Sequence, residues 1–313
     1  MTDRKKTLKI FGILILCVVV ILPSILFYLT YRDRKMLVSE FDQYRAQSEI
    51  LLEQEKRINI ENQKKTNFPA LEYEQGDLDY GSCGFALSGT FCEMVVDWRE
   101  DSVYNPSEKT AYLTFDDGPS ERTKEILDVL DEYGVKATFF VIGNKNEEET
   151  KLYKEIVDRG HALGMHSQTH MYDKIYVSTE SFLEDYNQLF TTIVNETGEK
   201  PVLFRFPGGS NNAYMVRNGT ADGIKEEMET RGFTYYDWNV SAEDAKYKFI
   251  SANDIAWNVL EGARYKNLAV VLMHDSANKQ TTVEALPAII EGLREQGFAI
   301  EKLTPDLEPL QFK

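Results

Sequence analysis

From residue 110 onward, seven apolar and β-branched runs, "TAYLTF", "KATFFVI", "HALGM", "VLFRF", "FTYYDW", "LAVVLMH" and "FAIEKL", alternate with segments of helical period. No other feature constrains the fold as strongly. Strands joined through helices pair in parallel and need both faces of their sheet covered. The helical segments carry their own end signals. Ile126, Leu130 and Tyr133 share a stripe that stops at Gly134, and Phe182, Tyr186, Leu189 and Ile193 share one that stops at Gly198, as expected where a glycine takes the left-handed residue after a helix. Ser251 and Asp254 form a capping box ahead of Ile255 and Val259. The fold class is α/β, with a β/α barrel of seven units or an open doubly wound sheet both compatible. In either, the C-terminal ends of the strands form the functional face.

Before this body lies a membrane signal. Ile10 to Tyr31 is a run of 22 residues without a charge, and at about 1.5 Å per residue it spans a hydrocarbon core of roughly 30 Å. A cleaved signal peptide would have a shorter apolar core and end in a small-x-small site, which is not found here, so the run reads as an uncleaved transmembrane anchor. Arg4, Lys5, Lys6 and Lys9 on one side face Arg32, Arg34 and Lys35 on the other. The short basic tail favours a cytoplasmic N-terminus, with everything from residue 32 outside the cytoplasm.

The expected organisation is residues 1–31 as tail and anchor, 32–67 as a helical stalk, 68–108 as an irregular linker or capping segment, and 109–313 as the functional body. In the stalk Leu37, Tyr44, Leu51 and Ile58 recur seven apart, but the companion positions Phe41, Ser48, Glu55 and Asn62 are mostly polar. That reads as a spacer and gives a stalk-mediated dimer only weak support. Cys17 lies in the apolar span, and Cys83 and Cys92 lie in the linker; outside the cytoplasm these two could close a short disulfide loop, with two buried thiols as the plain alternative. Residues 1–65 carry 12 Lys and Arg against 8 Asp and Glu, whereas the remainder carries 23 against 43, a net −20. An acidic body of this kind argues against a nucleic-acid partner. It points to no other, since a soluble, self-repelling surface accounts for it.

The polar residues gather at one end of the scaffold. Asp116 and Asp117 follow the first strand and "HSQTH", residues 166–170, follows the third. Arg205 closes the fourth in "RFPGGS", Asp237 and Asp244 lie at or beyond the fifth, and His274 ends the sixth. Three of the four histidines thus sit at strand C-termini beside carboxylates.

Two imidazoles four residues apart, with one carboxylate, leave open positions on a metal ion, which is how a catalytic rather than a structural Zn²⁺ is held. His166, His170 and Asp117 form that set. The helical metalloprotease pattern needs a Glu after the first His, where this chain has Ser167, so a protease is disfavoured. Asp116 then has a role of its own, accepting a proton from water activated at the metal. The cation also relieves the repulsion between the two neighbouring carboxylates.

In these residues the chain resembles the polysaccharide deacetylases with a NodB-homology domain. The likeness runs over roughly residues 109–304, through "TFDDGPS", "HSQTH", "RFPGG" and "VVLMHDS" in order. It implies a distorted (β/α)7 barrel and a hydrolase removing N-acetyl groups from amino sugars of a cell-wall polysaccharide such as peptidoglycan, with one divalent ion, Zn²⁺ or a similar ion such as Co²⁺. It further implies Asp116 as general base, Asp117, His166 and His170 as metal ligands, Arg205 as the group orienting the base, His274 as general acid, and the Gly208 backbone N–H as an oxyanion donor.

Two departures stand out. Where the family often has an aromatic residue after the third motif's proline, Gly208 and Gly209 follow Pro207. Where it usually reads Asp-x-x-Asp-Trp, this chain has Ser241, Asp244 and Ala245. Asp244 is the residue assigned to tune His274, with Asp237 in reserve. An O-acetyl or xylan-type esterase, a small-molecule amidohydrolase on the same scaffold and an inactive glycan-binding homologue stand as alternatives. An inactive homologue would be expected to lack a ligand or Asp116.

Overall fold

Alternation along the first strand sorts the body into two layers. In the computed structural model, which describes residues 91, 93–96, 104–106, 108–143, 145–246 and 250–312, strand β1 runs from Thr110 to Asp116 and every residue of it is buried. Ala111, Leu113 and Phe115 point into the large core shared with the helices. Tyr112 points to the other face, into a second cluster with Phe140, Leu203, Tyr236, Val270, Leu303 and Leu307. Because side chains alternate along a strand, Thr114 and Asp116 continue the inner face of Tyr112.

Around β1 stand β2 (Thr138–Val141), β3 (Ala162–Met165), β4 (Leu203–Phe204), β5 (Thr234–Tyr235), β6 (Val240–Ser241), β7 (Leu268–His274) and β8 (Ala299–Glu301). The sheet order is β5-β4-β3-β2-β1-β7-β6, and all its recorded pairings are parallel. β7 accompanies β1 along its whole length, while the other edge of β1 is divided between β8 near its start and β2 near its end.

The parallel α/β class is as the sequence indicates, but the seven-unit barrel is a curled sheet left open between β5 and β6. Only residues 236–239 separate those strands, too few for the crossover that parallel pairing requires. The C-terminal segment fills the opening. Asp237 N–H donates to Leu310 O at 2.8 Å, and Tyr236 Oη donates to Thr304 O at 2.9 Å and Leu307 O at 2.6 Å.

The helix ends follow the sequence cues. Helix Glu121–Glu132 is capped by Ser120 and followed by Gly134 at φ +63°. Helix Thr179–Thr197 ends on Gly198 at φ 76°, and Ser251 accepts the Asp254 N–H at the start of helix Ala252–Ala263. Part of the segment 68–108 belongs to the body: Met94 is fully buried, Val96 N–H donates to Arg231 O at 3.0 Å, and Arg231 donates back to Phe91 O at 2.8 Å. Among the described residues no helix is long and apolar enough to cross a membrane. The anchor, the stalk and the Cys83–Cys92 pair lie outside the described residues.

Candidate active site

The inner face of β1 ends on Asp116, whose register partners are His274 on β7 and Phe140 on β2. Asp116 is 2 % exposed, and its carboxylate needs a counter-charge. Arg205, fully buried just beyond β4, supplies it. The guanidinium donates to Asp116 Oδ1 at 2.9 Å, to Thr114 Oγ1 at 2.7 Å and to the carbonyls of Tyr236 and Asp237 at 2.8 and 3.2 Å. It lies over the Phe140 ring, 4.3 Å from its centroid. Burial lifts the Asp116 carboxyl above its ordinary range, against the pull of Arg205 and His274.

Asp117 breaks the strand with φ 73°. Its Oδ1 lies 3.3 Å from His170 Nε2 and 3.7 Å from His166 Nε2, and it is buried without a hydrogen-bond partner among the described residues. The donor atoms of Asp117, His166 and His170 all lie within 4.8 Å of one another. His166 Nδ1 sits 2.8 Å from Arg205 O; a carbonyl can only accept, so Nδ1 carries the proton and Nε2 presents a lone pair. Burial pushes this imidazole down to about 3, keeping it neutral. An orphaned carboxylate oxygen and an unprotonated imidazole nitrogen, converging with a second imidazole, fit a divalent cation.

The loop that carries the two histidines is held in an uncommon backbone conformation, with φ 106° at Ser167 and 54° at His170. Such conformations persist where the surroundings over-determine them. Asp185, buried on helix Thr179–Thr197, does so here. Its Oδ1 accepts from Ser167 Oγ and Gln168 N–H, both at 2.7 Å, and its Oδ2 accepts from Thr169 Oγ1 at 2.6 Å and Thr169 N–H at 3.1 Å. Ser167 Oγ in turn accepts the His170 N–H at 2.8 Å.

Opposite stands His274. Its Nδ1 is 2.8 Å from Asp244 Oδ1, and Asp244 Oδ2 accepts the His274 N–H at 2.8 Å and Thr282 Oγ1 at 2.9 Å. Burial by itself would lower this imidazole, but the hydrogen bond and charge of Asp244, with Asp116 and Asp117 behind it, raise it to about 9. Asp237, the reserve partner, is engaged elsewhere, accepting from Ser210 N–H and Oγ at 2.9 and 2.6 Å and from Phe312 N–H at 2.7 Å. It secures the turn that presents Gly208, which is exposed at φ +77°. Ala245, at the place of the family's tryptophan, is exposed as well.

Asp116, Asp117, His166, His170, Arg205, Asp244, His274 and Gly208 thus come from the ends of separate strands to one mouth of the sheet. Sequence reasoning missed two residues. Asp185 sits on a helix, 15 positions beyond His170, and no local pattern marks it. Asp275 lay within the quoted "HDS". It is fully buried, accepts Thr123 Oγ1 at 2.5 Å and gives its N–H to Asp116 O at 3.1 Å, and burial pushes its carboxyl up to about 7.

A protein-family model described as polysaccharide deacetylase matches residues 104–226. A peptidoglycan-N-acetylglucosamine deacetylase of Bacillus cereus is 38% identical over 205 residues, covering 64% of this chain and 71% of that protein. A putative polysaccharide deacetylase of Bacillus subtilis is 36% identical over 209 residues, covering 66% and 71%. Among solved structures, the catalytic domain of peptidoglycan N-acetylglucosamine deacetylase from Eubacterium rectale superposes with a TM-score of 0.65 at 38% identity, covering 68% of this chain and 97% of that domain.

Proposed function

Since the chain belongs to the polysaccharide deacetylase family, we propose that it is a metal-dependent hydrolase that removes N-acetyl groups from amino sugars of cell-wall peptidoglycan, with N-acetylglucosamine as the sugar. The observation that carries this reading is one constellation. A buried carboxylate held by Arg205 stands beside an Asp-His-His donor set, and a charge-paired histidine stands across from both. The substrate is inferred from the relatives' names.

When bound by Asp117, His166 and His170, a divalent cation, proposed to be Zn²⁺, would polarise the acetyl carbonyl and lower the pKa of a water from about 15.7 to about 7. Asp116 accepts the proton of the attacking water, and Arg205 fixes the direction of its carboxylate. His274, kept protonated by Asp244, donates to the departing amine, a poor leaving group without that proton. The exposed Gly208 N–H offers a hydrogen bond to the carbonyl oxygen. The inactive reading needs a missing ligand or base, and the described residues include every one.

The cellular setting is likewise a proposal, supported by the uncharged span Ile10–Tyr31 and its basic flank. Residues 1–31 anchor the chain, 32–67 lift the catalytic domain from the membrane, and the domain works outside the cytoplasm. Neither a stalk-mediated dimer nor a Cys83–Cys92 bridge is needed for this. The test is to treat purified peptidoglycan with the protein, with and without chelator, and locate the lost acetyl by mass spectrometry. Metal-dependent release from N-acetylglucosamine supports the reading. Release only from O-acetyl esters refutes the amide assignment, and full activity in protein shown by elemental analysis to be metal-free refutes the metal.

A further inference from the structure

Gly208 leaves a gap where the family often has an aromatic side chain, and the structure fills it from another loop. A Cβ at position 208 would lie 3.0 Å from Tyr172 Oη and 3.3 Å from Tyr172 Cε2 and Cζ. The end of the Tyr172 ring therefore stands in the space that a side chain at 208 would enter. Glycine at 208 and tyrosine at 172 are two halves of one arrangement.

Tyr172 is held from several sides. Its ring centroid lies 5.4 Å from that of His170, 5.5 Å from that of Tyr214 in an edge-on contact, and 6.0 Å from that of Tyr176. The ring is half-buried. The Tyr172 hydroxyl donates to none of the described residues, and neither does the adjacent exposed Gly208 N–H. Two unused donors thus stand together, and the ring that carries one of them packs against His170 of the metal set.

We propose that the Tyr172 hydroxyl is a catalytic residue, a second hydrogen-bond donor beside the Gly208 N–H to the carbonyl oxygen of the scissile acetamide. The inference rests on the deacetylase reading. As the oxygen of water bonds to the carbonyl carbon and its O–H bond breaks, the proton passing to Asp116, the π pair of the C=O bond moves onto the carbonyl oxygen. That charge is where a fixed donor contributes most. The phenol keeps its proton throughout and only shares it as a hydrogen bond. Collapse restores the C=O bond and breaks the C–N bond, with the proton for nitrogen coming from His274. Acetate and the free amine leave.

The test uses the metal-loaded full-length protein and two probes, an N-acetylglucosamine oligomer and an aryl acetate. Tyr172→Phe retains the ring and its packing and removes only the hydroxyl. It lowers kcat by roughly 10²-fold on both probes, since both pass through the same oxyanion, and leaves KM within about twofold. Metal content, read by elemental analysis, stays at that of the unsubstituted protein. His274→Ala behaves differently, costing far more on the amide than on the ester, whose leaving group needs no proton. Unchanged kcat in Tyr172→Phe, a rise in KM alone, or loss of metal each overturns the proposal, the last two pointing to a wall or to support of His170. An unsubstituted protein that releases no acetate overturns the functional reading with it, whereas an active parent and an equally active Tyr172→Phe overturn this proposal alone.

Discussion

Asp244→Asn separates the charge of the acid's partner from its shape. Asparagine keeps an acceptor for the His274 N–H and Thr282 Oγ1, both of which now meet Asp244 Oδ2, but it removes the negative charge 2.8 Å from the imidazole. In the parent, burial lowers the His274 pKa, and the hydrogen bond and charge of Asp244, with the charges of Asp116 and Asp117, outweigh it, raising the value from 6.5 to about 9. Without Asp244, burial meets only the other carboxylates, so the imidazole falls to about 6.5 or below. An acid works protonated, so activity disappears as pH rises through its pKa. At about pH 7.5 the protonated fraction drops from ~0.97 in the parent to ~0.1 in the variant, roughly a tenfold loss, and at about pH 5.5 the variant recovers to ~0.9. A cation bound at Asp117, His166 and His170 repels the imidazolium and moves both profiles down together. The observable is therefore the separation between them, in kcat/KM of amide cleavage measured from acid to alkaline pH. Superimposable alkaline limbs would refute the reasoning. Stability moves with the same group: a folded pKa near 9 against 6.5 unfolded is worth about 3 kcal/mol, present in full below pH 6.5 and lost as pH rises through 9. The variant's unfolding free energy lacks that dependence.

Three further outcomes follow from the geometry. Asp116→Asn lowers kcat by roughly 10² to 10⁴ with metal content unchanged, and near-normal amide turnover in a folded, metal-loaded variant contradicts the assignment of the base. Asp185→Ala frees the Ser167–His170 loop and weakens metal binding by about 10- to 100-fold, measured by competition with a chromophoric chelator; unchanged affinity removes the positioning role. Met94→Ala costs about 2–5 kcal/mol in urea unfolding if residues 91–96 belong to the catalytic body, and a shift below about 0.5 kcal/mol separates that segment from it.

Most of the strands and the site's inner face were legible because both rest on short-range regularities. All seven apolar runs contain a strand, and the polar residues that follow them reach the same mouth. What escaped depends on distance or brevity. β6 is two residues, Val240–Ser241, inside a run of polar and small residues, and its strand character comes from pairing with β7. The opening of the sheet was equally hidden, since it depends on where the C-terminal segment lies, and nothing in "LTPDLEPLQF" announces that Leu303 and Leu307 will fill the sheet's interior. The choice of Asp244 over Asp237 came from the likeness of its segment to the family's fourth motif, and the physical reason for it lies in the fold. It is decided by which carboxylate reaches His274 across the β6–β7 pairing, and Asp237 is turned to Ser210 and Phe312 instead.

The adjacency of Asp116 and Asp117 shows how a backbone detail creates a site that alternation alone would forbid. In a regular strand two successive side chains point to opposite faces, so a carboxylate after Asp116 would be carried toward the helix layer. Asp117 instead adopts φ 73°, a conformation costing an ordinary residue about 1 kcal/mol, and its carboxylate comes to lie beside His166 and His170. The next position must then accept close approach from behind. A Cβ at Gly118 would sit 2.1 Å from Asp275 Oδ2, and that carboxylate cannot swing aside easily, because Thr123 Oγ1 holds it at 2.5 Å. Asp-Asp-Gly is thus one device. The first residue ends the strand's inner face against Arg205, the second leaves the strand to meet the two imidazoles, and the third has no side chain because the carboxylate of Asp275 already occupies that space. The two carboxylates share a mouth and a neighbour, His166 Nε2 standing 3.7 Å from Asp116 Oδ2 and from Asp117 Oδ1, but they are held differently. Asp116 is held by Arg205, whereas Asp117 Oδ1, buried and without a hydrogen-bond partner among the described residues, is the atom to which a cation would contribute most.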